Sequence, residues 1–212
     1  MSLPFTADAF FDVFARYNTA LLPAVLVWWA LAGWAVAAVL VRPGPATDRG
    51  AVAVLVGLWL WGGLVYHAGY FTAINPAAWL FAALFVVQAV ELARVGLVRH
   101  GLQFGTASGG RRAIGVALAL YALLYPFIAV AGGHAYPAAP TFGVPCPTDL
   151  LTIGLLVTAA RPPLSVLAVP WIWALIGGSA ALVLGVAADY ALLVSAVVLV
   201  AVAIASRRPV TD

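Results

Sequence analysis

In a chain of 212 residues, 65% are hydrophobic, only 8% are charged and the mean hydropathy is +1.09, too little polar surface to wrap a water-soluble globule of this size. The composition therefore points to an integral membrane protein. The basic residues are all arginine, in short clusters, and a formal charge of +3 makes no nucleic-acid surface, while the single Cys146 excludes an intrachain disulfide and any Cys-x-x-Cys redox or zinc pair.

The N-terminal stretch lacks the basic and apolar regions of a signal peptide. Instead "TADAFFDVFARYN" sets Phe10, Val13, Phe14 and Tyr17 on one helical stripe, with Asp12 and Arg16 spaced i, i+4 away from it. Residues 1–18 are expected to form an amphipathic helix that lies in the membrane interface or packs across a bundle with that stripe. Crossing a bilayer takes about 20 apolar residues; runs of suitable length follow at 20–41, 51–72, 76–98, 112–131, 164–186 and 190–206. Segment 148–160 is shorter. At about 1.5 Å per residue it covers roughly 20 Å, which suits a tight span or a re-entrant half-helix.

Arginine placement chooses between these readings, because short cytoplasmic loops carry the basic excess. With seven spans and the N-terminus outside, Arg42, Arg49, Arg94, Arg99, Arg111, Arg112, Arg161, Arg207 and Arg208 lie inside and only Arg16 lies outside. If 148–160 does not cross, Arg161, Arg207 and Arg208 change sides. The expected fold is an all-α membrane protein: a bundle of seven transmembrane helices, the fifth short, N-out and C-in. Residues 19–208 make the transmembrane domain and 209–212 a short cytoplasmic tail. No lysine is present to hold retinal as a Schiff base. The glycine-rich "HGLQFGTASGGRR" lacks a Walker lysine, follows no strand, and reads as a flexible connector.

On this topology His67, Asn75, His134, Cys146 and Asp149 fall at the outer ends of their spans. Asn75 and Pro76, in "INPAAW", suit the N-cap and first turn of span three; the functional alternative is a helix start whose free N–H groups face a solute. A water channel needs two such motifs on re-entrant half-helices, and only one is present. His67 shares a face with Trp59, Gly63 and Tyr70, and the glycine lets a neighbouring helix approach closely. Two imidazoles and a thiolate suit zinc or copper, so His67, His134 and Cys146, with Asp149 as a fourth ligand or a residue that orients a histidine, form the candidate metal set, with ligand atoms at about 2.0 to 2.3 Å, although their spacing does not impose convergence. Haem fits less well, since no axial-ligand signature accompanies the histidines. The expected solute-binding residues are His67, Tyr70, Asn75, His134 and Tyr136. Both sets are expected to line one outward-facing polar vestibule formed by connections 66–76 and 132–149. Elsewhere Glu91 is expected to pair with Arg94, Tyr121 and Tyr125 share a face, and Gly177, Gly178 and Ser179 suit close helix packing.

The segments "YHAGYFTAINPAAWLFAALFVVQ", "GGHAYPAAPTFGVPCPT" and "WALIGGSAALVLG" resemble recurring segments of an uncharacterised bacterial integral-membrane family, a domain of unknown function whose members are sometimes labelled permeases. The resemblance covers nearly the whole chain. It implies that His67, Asn75, Pro76, His134, Pro145, Cys146, Pro147 and Thr148 belong to the family pattern. The expected location is the bacterial cytoplasmic (inner) membrane. The expected function is binding or moving a small neutral solute or a metal ion through the vestibule. The alternatives are an intramembrane metal-dependent hydrolase, with zinc on His67 and His134, and a scaffold subunit; enzyme activity is the less expected. The partners implied are the lipid bilayer and the solute or ion, with association into an oligomer left open.

Overall fold

The structure, a computed structural model, describes residues 4–206. Arg207, Arg208 and the expected tail 209–212 lie outside the described residues. Within them the chain forms seven α-helices: α1 (Ala7–Val41), α2 (Pro45–Trp61), α3 (Ala78–Leu92), α4 (Gly109–Ala131), α5 (Pro145–Thr158), α6 (Ser165–Leu184) and α7 (Tyr190–Ser206). Counted with the short turns that extend them, all but α5 are long and apolar enough to cross a membrane. This fits a multi-pass membrane protein.

The N-terminal segment and the first span form one helix with a break. Thr6 caps it, its side chain accepting from Ala9 N at 3.2 Å, and the helical geometry fails only at Leu21. Pro23, two residues on, has no N–H to return to the preceding turn. The part before the break buries Val13, Phe14, Tyr17 and Asn18, stacking Phe14 on Tyr66 and setting Tyr17 edge-on to Tyr66 and Tyr70. The amphipathic stripe thus packs on the bundle, and the boundary expected near residue 18 lies three residues before the break at Leu21.

The short helix α5 is the axis of the molecule. Every residue from Pro147 to Thr158 is buried, as an all-round apolar helix requires. Two glycines bring the α4 and α5 backbones together: a Cβ on Gly154 would stand 2.5 Å from Ala119 N, and one on Gly115 would stand 2.8 Å from Gly154 O. At its start Val144 is extended and Pro145 fills the first helical position, where no N–H is needed. At its end the Arg111 guanidinium donates to the carbonyls of Val157, Ala159 and Ala160, which satisfies acceptors a helix C-terminus leaves free. Next to its start, Gly143 lies against Tyr17 and Trp61; its last residue, Thr158, accepts from Gly105 N and Ala107 N. The helix therefore runs from the α3–α4 connection to the level of Trp61 in the bundle interior.

The glycine-rich connection between α3 and α4 corrects an expectation. It is pinned rather than loose. Leu102, Phe104 and Ala107 are buried, Phe104 N donates to Asp48 Oδ1 at 3.1 Å, and Gly105, at φ +68°, lies so close to the Val39 carbonyl that a Cβ would stand 3.3 Å from it. The glycines here permit close approach and a left-handed turn, and a composition-based reading mistakes that for flexibility.

Candidate functional site

At the end of the bundle opposite this connection, α2 does not stop as an ordinary α-helix. It widens into a π-helical turn, Gly62–His67, followed by a short 3₁₀ turn, Phe71–Ala73; such widened turns often accompany functional sites. Gly63 permits it, because α3 passes so close that a Cβ there would stand 3.0 Å from Ala82 O. The result points His67 inward. Its ring is fully buried among Tyr66, Phe71, Phe81, Phe85 and Trp173, with ring centroids 4.8 to 5.9 Å away.

His67 forms part of the floor of a cavity of about 250 Å³. Phe5, Phe10 and Phe14 of the N-terminal segment, Phe71 and Asn75 of the α2–α3 connection, Val144 to Cys146, and residues of α6 enclose it, with Asp189 at the start of α7. The lining is predominantly aromatic and aliphatic, so the polar vestibule expected from the sequence is instead an apolar pocket with a few polar groups at its base. Neither nitrogen of His67 has a hydrogen-bond partner, nor has Trp173 Nε1. Asp189 accepts from the Tyr125 hydroxyl, and Tyr121 donates to the neighbouring Ala188 carbonyl at 2.9 Å; the two tyrosines do share a face. Gly177 lies beside the Cys146 thiol and the Trp173 indole and lets Leu192 of α7 approach, since a Cβ there would stand 2.9 Å from Leu192 Cδ1. Leaving a buried polar group unpartnered costs about 1–3 kcal/mol, so this floor is held at the expense of stability.

The expected residues do not all converge. His67, Asn75 and Cys146 line the cavity. His134 does not: it lies half-buried against Phe11, ring centroids 4.3 Å apart, on a residue adjacent to the cavity-lining Phe10. Tyr136 is 52% exposed, and Tyr70 packs on Tyr17 outside the cavity lining. Asp149 is fully buried one turn into α5, both oxygens unpartnered like the neighbouring Thr148 Oγ1, and does not line the cavity. Among the described residues no three His, Cys, Asp or Glu side chains come close enough to hold a metal ion. The expected metal set is therefore not assembled, because the connection that carries His134 is tied down elsewhere. Asn18 Nδ2 donates to Pro137 O and Ala139 O at 2.6 and 2.7 Å, and Thr141 donates to Asn18 Oδ1.

Asn75 closes the turn that leads into α3, whose N-cap position is Ala77. Its Oδ1 accepts from Ala77 N at 3.1 Å and its carbonyl from Ala78 N at 3.0 Å, while Trp79 N and Leu80 N bond to Pro76 O and Ala77 O. These N–H groups are spent within the turn, so the start of α3 does not present them to a solute as a channel filter would. Glu91 and Arg94 pair as expected, and Gly178 lets α7 approach until a Cβ would stand 2.6 Å from Leu193 Cδ2.

Sequence reasoning missed Asn18, Trp173 and Asp189. Asp189, an acid in the apolar "GVAADYALL", carried the same signal as Asp149. Asn18 and Trp173 carried none, since an amide at a helix turn and one tryptophan among eight have no distinguishing spacing.

Fold and site together define a polytopic α-helical protein whose bundle is filled along its axis by a short buried helix and opens at one end into an aromatic cavity. The family model of DUF6064, a family of unknown function, matches residues 7–211, and the chain belongs to that family. No curated protein and no solved structure matches it.

Proposed function

We infer that this protein binds a small, neutral, mostly apolar solute in the aromatic cavity, with a hydrogen-bonding head directed at His67 and Trp173. The observation that carries the reading is the His67 ring, wholly buried on the cavity floor with neither nitrogen bonded. Trp173 Nε1–H is a donor only, and a neutral imidazole offers one donor and one acceptor, so a hydroxyl or carbonyl oxygen complements them. Size supports a molecule of one or two rings: an apolar cavity of about 150 Å³ accommodates benzene, and this one is larger. Binding is favoured over conduction, because α5 fills the bundle below the cavity. The protein sits in the bacterial cytoplasmic membrane with seven spans, N-out, and the cavity on the outer side.

The test is equilibrium dialysis of the nanodisc-embedded protein against 2-naphthol and 2-methylnaphthalene, with protein-free nanodiscs correcting for partitioning. Saturable binding of one 2-naphthol per chain is expected, about tenfold tighter than 2-methylnaphthalene, as one to two neutral hydrogen bonds predict. Equal, non-saturable uptake of both compounds overturns the reading. Orientation is checked separately by labelling Ala46→Cys and Ala138→Cys in a Cys146→Ser background; labelling of position 46 from outside would reverse it.

A further inference from the structure

Resting on that reading, we propose that the cavity is loaded sideways from the bilayer, through a mouth between the N-terminal segment and the C-terminal half of α6, so that its ligands are molecules dissolved in the lipid phase. One side of the mouth is the α6 stripe Ile176, Ala180, Val183 and Leu184, with Ser179 beside it. From Gly177 to Leu184 this edge is about 10 Å tall, at about 1.5 Å per residue. It lies on the outer perimeter of the bundle: Val183 lines the cavity and is nevertheless 61% exposed, and its neighbour Leu182 is 63% exposed. α6 packs chiefly on α7, α5 and α3, and no extensive α1–α6 packing closes the gap among the described residues. Large apolar side chains on the perimeter of a spanning helix face acyl chains.

The end of the bundle is roofed by contrast. Phe5 stacks on Phe10 with ring centroids 5.9 Å apart, and Phe71 meets both edge-on at 5.5 and 6.1 Å. Water therefore meets an aromatic cluster and lipid meets an opening. The ligand that fits both features is an amphiphile that partitions into the membrane, enters ring first past Ser179 and Val183, and turns its oxygen toward the floor.

The proposal separates rates from affinities. A residue that only narrows the entrance changes entry and exit by the same factor and leaves the equilibrium alone, whereas a floor residue changes the equilibrium. Stopped-flow measurement of 2-naphthol binding to the nanodisc-embedded protein is compared for wild type, Ser179→Trp, Val183→Trp, Phe10→Ala and His67→Phe. Both mouth variants lie on the exposed rim, where a large side chain displaces no buried neighbour. They are expected to slow association and dissociation by about tenfold each, so that the rates change far more than Kd, which also registers the new side chain at the cavity edge. His67→Phe is expected to raise Kd chiefly through faster dissociation. If both mouth variants leave the rates unchanged and Phe10→Ala accelerates entry, the route runs through the roof from water and the proposal falls. If wild type shows no saturable binding, the reading of the cavity itself has failed, a different result from a misplaced entrance.

Discussion

The two ends of this bundle differ in how completely they pair their buried polar groups. At the arginine-bearing end, polar groups are paired: Arg111 closes the C-terminus of α5, Asp48 holds the Phe104 amide, Thr158 receives Gly105, and Glu91 bonds Arg94. At the cavity end, Asn18, Asn75 and Asp189 are bonded, but His67 and Trp173 are buried and unpaired, and Thr148 and Asp149 stand unpaired in the adjoining turn of α5. Gln88 departs from this division, with Nε2 bonded to Val166 O and Oε1 free. The contrast teaches that one end holds the buried helix in place while the other keeps hydrogen-bonding capacity in reserve. Groups satisfied inside the protein contribute to stability, whereas groups left unsatisfied reduce it.

Substitutions can test that division. The largest effect is expected at Gly154→Leu, on which the α4–α5 contact depends: a side chain would collide with the Ala119 backbone, destabilising the protein by about 3 kcal/mol or more. Chemical unfolding in detergent should show the loss; a neutral result would mean that the two helices can part without consequence. Next is Arg111→Met, which keeps an apolar stem and removes the bonds to three carbonyls. A loss of about 2–3 kcal/mol is expected for charge-assisted bonds at a partly exposed site, with 2-naphthol affinity of the folded protein unchanged. A change in affinity would instead couple the two ends. Asn75→Ala should cost about 1 kcal/mol and Asn75→Ser much less, as for other side chains that accept from the N–H groups of a helix entry; equal losses would show that the amide does more than close this turn. The smallest stability effect, and the most informative, is His67→Phe. Replacing two unpaired nitrogens with ring carbons should leave stability unchanged or raise it by up to about 1 kcal/mol while 2-naphthol affinity falls about tenfold. A marked loss of stability would place His67 with the structural groups and erase the contrast.

Much of the architecture was legible in the residues alone. Low charge and long apolar runs required helices long and apolar enough to cross a membrane, Asn75 and Pro76 marked the turn that leads into α3, Glu91 and Arg94 were one turn apart, and Gly63 and Gly178 marked close approaches. These are local consequences of composition and spacing, and each appears in the structure. Which side of each helix faces inward was not legible. Lipid is as apolar as a protein core, so hydropathy does not separate a lipid-facing leucine from a buried one. Only the packed bundle decided that α5 is enclosed, that Asn18 ties down the connection carrying His134, and that His67 meets Trp173 and Asp189 in one cavity instead of meeting His134 at a metal. Those pairings join residues more than 100 positions apart, and no local rule of helix chemistry reaches that far.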